Sequence, residues 1–264
     1  EIIRLGTTLL YEGNGGTPTR MLTSESGFGY PDRQNLIDQI GDPYINLYRK
    51  TVSKQRSYVI EMTMTACSPS ALDAEIAAWE QTHAPGVQQV LTRITRNGGI
   101  FYLDCVPEGP VWSDRGLSSV HVSQSYVAAN PWWYGPEQSA TANFNNANPV
   151  NIAVMNGGNI PAWLRVVITG VVVDPKISVA AGAYFVELDW TNGAGEDIVI
   201  DCKPPAIITH TVGGVTSSIF GYRTSDSWIN RVQAPVGASN VVISAASGVA
   251  ACNVYWRNRY GALA

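Results

Sequence analysis

The sequence predicts a mainly β protein, arranged as two β domains with a single helix in the first. Three observations predict it. Apolar residues recur with period 2 over short runs rich in β-branched and aromatic side chains. Gly, Pro and Asn punctuate these runs at turn positions, the pattern of sandwiches and barrels. One segment alone carries its apolar residues at helical spacing.

Along the chain, segment 11–35 (YEGNGGTPTRMLTSESGFGYPDRQN) is turn-rich and reads as a long excursion suited to contacting a neighbour. The run 56–65 (RSYVIEMTMT) is a strand. In SPSALDAEIAAWEQTHAPG, Leu72, Ile76 and Trp79 fall at i, i+4 and i+7, Ser70 with Asp73 forms a capping-box-like start, and Pro85-Gly86 stops the run. This predicts one helix over about 70–83, with an apolar stripe to lay on a sheet. Strands follow at 88–95, 99–104 and 117–127, until Pro131 and Pro136 bracket Trp132-Trp133-Tyr134. That junction divides the chain into domains 1–135 and 136–264. Trp132 and Trp133 read as a wedge between the domains, burying roughly 150 to 250 Å² per ring. Their competing role, a sugar-stacking platform, suits the stiff proline-flanked linker less well.

In the second half, Asn156-Gly157-Gly158-Asn159-Ile160-Pro161 precedes a strand, 162–173, in which Trp163, Arg165, Val167 and Thr169 alternate with Leu164, Val166 and Ile168. No helix N-terminus faces the glycines, so a phosphate cradle is excluded. The expectation is a loop joining two antiparallel strands, with Gly157 and Gly158 supplying positive φ. Strands at 183–190, 196–201, 206–212, 240–245 and 251–257 complete the domain. Gly98-Gly99 and Gly213-Gly214 read as strand turns, and Trp228 and Trp256 as core residues. Arg257 and Arg259 beside Tyr260 read either as an exposed contact or as a solvated end.

Only 14% of the 264 residues are charged, against roughly 25% in an average soluble protein. Much of the surface is therefore uncharged, as in a particle component or a protein that covers itself by assembly. A net charge of −4 without a basic run disfavours binding through phosphate neutralisation. Cys67, Cys105, Cys202 and Cys252 form no CxxC pair, which disfavours a zinc ribbon or redox motif. They read as free buried thiols, with three disulfide pairings left open. No apolar stretch reaches the roughly 18 residues of a membrane span, and residues 1–20 lack a signal-peptide layout, so the expectation is a soluble chain without membrane insertion.

Candidate chemistry is sparse. Glu187 and Asp189 sit two apart on one strand face, the spacing of a β-sandwich glycosidase strand, but the position expected to hold the second carboxyl is Asn192, which cannot shuttle a proton. His83, His121 and His210 have no metal-ligand spacing, and no GxSxG or GxxxxGK[ST] motif occurs. The reading assigns no catalytic, cofactor-binding or metal-binding residue.

Four features together resemble the distal tail protein family of long-tailed, non-contractile bacteriophages. They are the lone helix SALDAEIAAWEQ followed by strands ending in NPWWYG, the loop NGGNIPAWLRVVITG, the stretch SDSWINRVQAPVGASNVVISA, and the terminus VYWRNRYGALA. The resemblance covers most of the chain from about residue 55 onward. It implies an N-terminal β-sandwich with one helix, forming a hexameric ring, and a C-terminal galectin-like β-sandwich over residues 136–264. It further implies a non-enzymatic virion protein, made in the bacterial cytoplasm and placed at the distal end of the tail. Its partners would be five further copies, the tail tube protein, the tail-tip or baseplate hub protein and the tape measure protein. DNA would pass through its lumen without specific binding. The competing reading is a galectin-like carbohydrate-binding protein that touches the host surface.

Overall fold

The computed structural model describes residues 2–5, 8–12, 20–26, 33–39, 46–53, 56–95, 97–145, 148–179 and 182–261. The chain is mainly β, with one α-helix among the described residues. It divides into two compact units, Glu1–Tyr134 with Tyr260–Ala264, and Gly135–Arg259.

The first unit is organised by the strand Arg56–Thr65, whose burial alternates strictly and turns Tyr58, Ile60, Met62 and Met64 inward. It pairs antiparallel with Ser119–Ala128 on one side and Arg20–Ser26 on the other. Ser119–Ala128 continues through Tyr126 and Val127 to Ile100–Pro107, which pairs with Gln89–Ile94 and so reaches Ile2–Leu5 and Thr8–Glu12. The outcome is a curled antiparallel sheet around one apolar core. A separate ladder joins Arg33–Gln39 to Asn46–Ser53. Parts of the turn-rich segment 11–35 are thus strand, at 11–12, 20–26 and 33–35; its stretches at 13–19 and 27–32 lie outside the described residues.

The helix spans Pro69–Thr82. Its cap is Ser68, whose Oγ accepts from the Ala71 N–H at 3.2 Å, and not the expected Ser70, which lies exposed in the first turn. The reason is Pro69: its fixed φ and missing N–H suit the first helical position, which sets the cap one residue earlier. Ser68→Ala is therefore expected to cost about 1 kcal/mol. Ser70→Ala should stay within about 0.5 kcal/mol, and denaturant titration of the two variants separates them.

The helix buries Leu72 and Trp79. The Trp79 indole donates to Gln124 Oε1 at 3.2 Å and stacks on His83 at 4.0 Å. His83 is fully buried, bonded through Nδ1 to Trp79 O at 2.8 Å and through Nε2 to Tyr126 Oη at 2.9 Å. A buried imidazole with both nitrogens engaged holds the helix end against the sheet.

The second unit is a sandwich of two antiparallel sheets. One runs in the order Val215–Ser218, Ile207–Val212, Asp197–Asp201, Ala162–Val173, Ser247–Tyr260 and Trp133–Asn145, and the other in the order Val150–Asn156, Gly237–Ser244, Lys176–Val179 and Tyr184–Glu187. Alternate residues of both point inward to a shared core: Leu164, Val166, Ile168, Ile198 and Val254 from the first meet Ile152, Val154, Ile177, Val186 and Val241 from the second. Gly213 and Gly214, at φ +56° and +79°, make the two-residue turn that pairs Val212 with Val215.

Candidate functional site

The Asn156–Pro161 loop is densely hydrogen-bonded. It was expected to close a hairpin. Instead Val150–Asn156 pairs with Gly237–Ser244 in one sheet while Ala162–Val173 pairs with Ser247–Tyr260 in the other, so the loop carries the chain across the sandwich. Neither Gly157 nor Gly158 is among the positive-φ glycines. Their smallness is used for close approach: a Cβ on Gly158 would stand 2.6 Å from Arg259 N and 2.9 Å from Arg259 C.

The loop is clasped to the end of the last strand, Ser247–Tyr260. Asn159 N–H and Ile160 N–H both donate to Arg259 O, at 3.0 and 3.2 Å, and Gly157 N–H donates to Asn258 Oδ1 at 3.1 Å across 101 residues. Asn156 is fully buried, its Nδ2 donating to Ile160 O at 2.9 Å and Ala234 O at 3.2 Å while its Oδ1 accepts from Gly158 N–H at 3.0 Å. Arg259, expected at the surface, is 3% exposed. Its guanidinium lies 3.5 Å over the Trp163 ring and donates to Pro161 O at 2.6 Å. Asn258 was not singled out in the sequence, since no local pattern marks a side chain whose partner is a hundred residues away.

Of the aromatic triplet, Trp133 is fully buried and meets Tyr58 edge-on at 5.8 Å inside the first unit's core. Tyr134 is 6% exposed, sits opposite Tyr102 in the ladder and accepts from Asn130 Nδ2. Trp132 is half-buried. A ring without exposed surface offers no face to a sugar, and the buried Trp133 stands in a core where the sequence placed it in a linker. Trp256 is 6% exposed and its indole donates to Met155 O at 3.0 Å, as a core residue should. Trp228, read as core, is 58% exposed.

The glycosidase-like residues are engaged otherwise. Glu187 is ion-paired with Lys176 at 3.0 Å, and Asn192 is fully buried with its amide donating to Gly170 O and Glu196 O at 2.9 and 2.8 Å. Beside it lies a pair missed in the sequence, Glu196 and His210, 2.9 Å apart across a turn and a strand. The Gly193 N–H, first, and the His210 side chain, second, hold the Glu196 carboxyl below its usual range. A depressed carboxylate stabilises the fold above the unfolded-state pKa of about 4.3, and that contribution is lost as pH falls through the lower folded value. The expected result is that Glu196→Gln lowers Tm at neutral pH and flattens the acid limb of a Tm-against-pH profile, so that variant and parent converge once the pH falls below about 4.

All four cysteines are free; Cys67 is exposed, whereas the others are buried as expected. Burial pushes the Cys105 thiol up to about 12 and Cys252 to about 11, and it also raises Cys202. Among the described residues no cluster of His, Cys, Asp and Glu could hold a metal ion, and no helix is long and apolar enough to cross a membrane.

No protein-family profile matches the chain, and no curated protein matches it. Solved structures do. The chain is similar to the Dit protein of phage SPP1, described as a paradigm of the hub adsorption apparatus in phages that infect Gram-positive bacteria, with a TM-score of 0.70 at 12% identity, covering 98% of each chain. It is also similar to a chain of the phage P2 baseplate in its activated conformation with Ca, at a TM-score of 0.52 and 9% identity over 90% of this chain and 91% of that one. A chain of the phage p2 baseplate with Sr gives a TM-score of 0.53 at 9% identity over 96% and 97%. Over nearly its whole length, the chain has the fold of these phage hub and baseplate components.

Proposed function

We propose that this chain is a structural virion protein, the hub at the distal end of a long-tailed phage, and that it works by assembly. The observation that carries the reading is the likeness to the SPP1 hub protein across 98% of both chains, which leaves neither unit unexplained. Six copies form a ring through the first unit. The second unit, Gly135–Arg259, is a galectin-like sandwich that docks neighbours. The ring joins the tail tube to the tail-tip or baseplate hub, contacts the tape measure protein, and lets DNA pass on ejection. Assembly takes place in the host cytoplasm before the ring becomes part of the virion.

The surface chemistry supports this. A ring needs faces that bury at little desolvation cost, and charged residues are only 14% of the chain. In the first unit, Leu117 and Val111 stand 84% and 64% exposed on the arm after Ile100–Pro107. Trp112 on that arm donates to Glu80 of the helix at 3.1 Å, so the arm is anchored while its apolar side chains face outward. The role requires no catalysis, in keeping with the engagement of Glu187 and Asn192 described above.

Light scattering across concentration, followed by negative-stain imaging, tests the reading. Annular particles of six subunits are expected. A monomer at every concentration that also fails to bind purified tail tube protein would overturn it.

A further inference from the structure

Trp228 is 58% exposed, and its indole makes no hydrogen bond, ring contact or cation contact among the described residues. Its main chain, by contrast, is anchored: the N–H donates to Phe185 O at 2.7 Å and the carbonyl accepts from Arg231 N–H at 2.7 Å. The preceding Ser227 is buried, its Oγ accepting from Glu187 N–H at 2.9 Å and donating to Glu187 O at 3.2 Å. With the backbone fixed, only the two side-chain torsions of the ring remain to be ordered by binding.

The segment carrying it runs alongside Tyr184–Glu187 and beyond. Thr224 N–H donates to Glu187 O at 3.0 Å, and Asp189 N–H donates to Tyr222 O at 2.9 Å. Tyr222 thus sits at the other end of the strip, 52% exposed and braced edge-on against Trp190 at 4.6 Å. The strand step from Phe185 to Asp189 separates the two aromatic positions by on the order of 13 Å. Between and beside them Ser225, Asp226 and Asn230 are exposed, and Tyr184 lies 37% exposed with Arg231 5.8 Å from its ring. Formal charge along the strip sums to zero: Asp189 and Asp226 are matched in number by Arg223 and Arg231, and Lys176 is ion-paired with Glu187.

Exposed rings among hydroxyl, amide and carboxylate groups, with no net charge, match a ligand that has an apolar face and a rim of hydroxyls. A protein partner is matched less well, because an aromatic anchor in a protein interface needs surrounding contacts that exclude water, and here the ring is fringed by exposed polar side chains. We propose that the Trp228–Tyr222 strip binds a neutral hexose oligosaccharide, with Trp228 stacking on one pyranose face and Ser225, Asp226 and Asn230 meeting its hydroxyls. The site stands on its own geometry; its use against a cell-surface polysaccharide rests on the tail-hub reading.

Titration of the full chain with neutral oligosaccharides of glucose, galactose and N-acetylglucosamine, followed by tryptophan fluorescence and calorimetry, tests it. Saturable binding with Kd on the order of 0.1 to 1 mM is expected. Trp228→Ala should weaken it at least about tenfold, Trp228→Phe should retain most of it, and Tm should be unchanged in both. No saturation with any of these sugars, or binding that Trp228→Ala leaves intact, overturns the proposal. A change in particle mass on Trp228→Ala without sugar binding assigns the ring to a protein contact and overturns it too. Because assembly is read separately, by light scattering and by binding of tail tube protein, a chain that binds sugar but neither forms rings nor binds the tube protein would sink the hub reading and leave this site standing. Binding of whole cells with no binding of the soluble sugars would place recognition elsewhere on the chain and also overturn the site.

Discussion

A chain carrying Gly158→Val is expected to lose about 3 to 5 kcal/mol of stability, the largest effect of any single loop substitution in the second unit. Even the first carbon of the new side chain would lie 2.6 Å from Arg259 N, against backbone that is itself hydrogen-bonded and cannot turn aside. Relief requires the loop to lift away. That breaks the bonds from Asn159 and Ile160 to Arg259 O, each worth about 1 kcal/mol, in addition to an overpacking cost of about 1 to 3 kcal/mol. Gly157→Ala is the control. Its Cβ would meet Asn258 Nδ2 at 3.2 Å, the end of a side chain that can give, so a loss below about 1 kcal/mol is expected. Thermal unfolding of the two variants decides the matter, with a fall in Tm of roughly 10 °C for the valine variant alone. Equal melting of Gly158→Val and the parent chain would mean that the clasp is open in solution.

Trp133→Ala is the second large effect, about 3 to 5 kcal/mol. The ring has no exposed surface and packs edge-on against Tyr58 at 5.8 Å, in a core that also holds Tyr126 and Trp79. Its removal leaves a cavity that the anchored strand Arg56–Thr65 cannot collapse to fill. Denaturant unfolding should show a lowered midpoint with an unchanged slope, and a loss under about 1 kcal/mol would show that the core repacks.

The elements legible in the sequence were those whose local pattern agrees with their tertiary environment. Arg56–Thr65 and Ala162–Val173 were both readable to the residue, because each is buried on one face and its alternation was therefore complete. Trp133–Asn145 was invisible: in EQSATANFN only Phe144 is fully buried, so alternation has little apolar content to display. Val150–Asn156 and Lys176–Val179 were too short or too close to the glycines to register as strands. At the loop, the strand that follows the glycines was legible, but the glycines turned out to serve close approach where a turn was expected. Two strands adjacent in sequence had entered different sheets, and no local pattern records that. Trp228 failed for the opposite reason, since an indole reads as core by composition and its exposure is decided by the register of a turn.

The division of the chain, in which Tyr260 and Gly261 belong to the first unit, bears on the order in which the molecule is made. Tyr260 closes edge-on over Phe101 at 5.1 Å, and the buried Arg56 guanidinium donates to Gly261 O. During synthesis those partners leave the ribosome roughly 125 residues after Tyr134, a wait on the order of 10 s. Throughout that interval Arg56, whose burial lowers its pKa to about 10, lacks the carbonyl that receives it. A nascent chain truncated anywhere in the sandwich therefore carries an incomplete first unit, and only a chain translated through Gly261 presents a finished one.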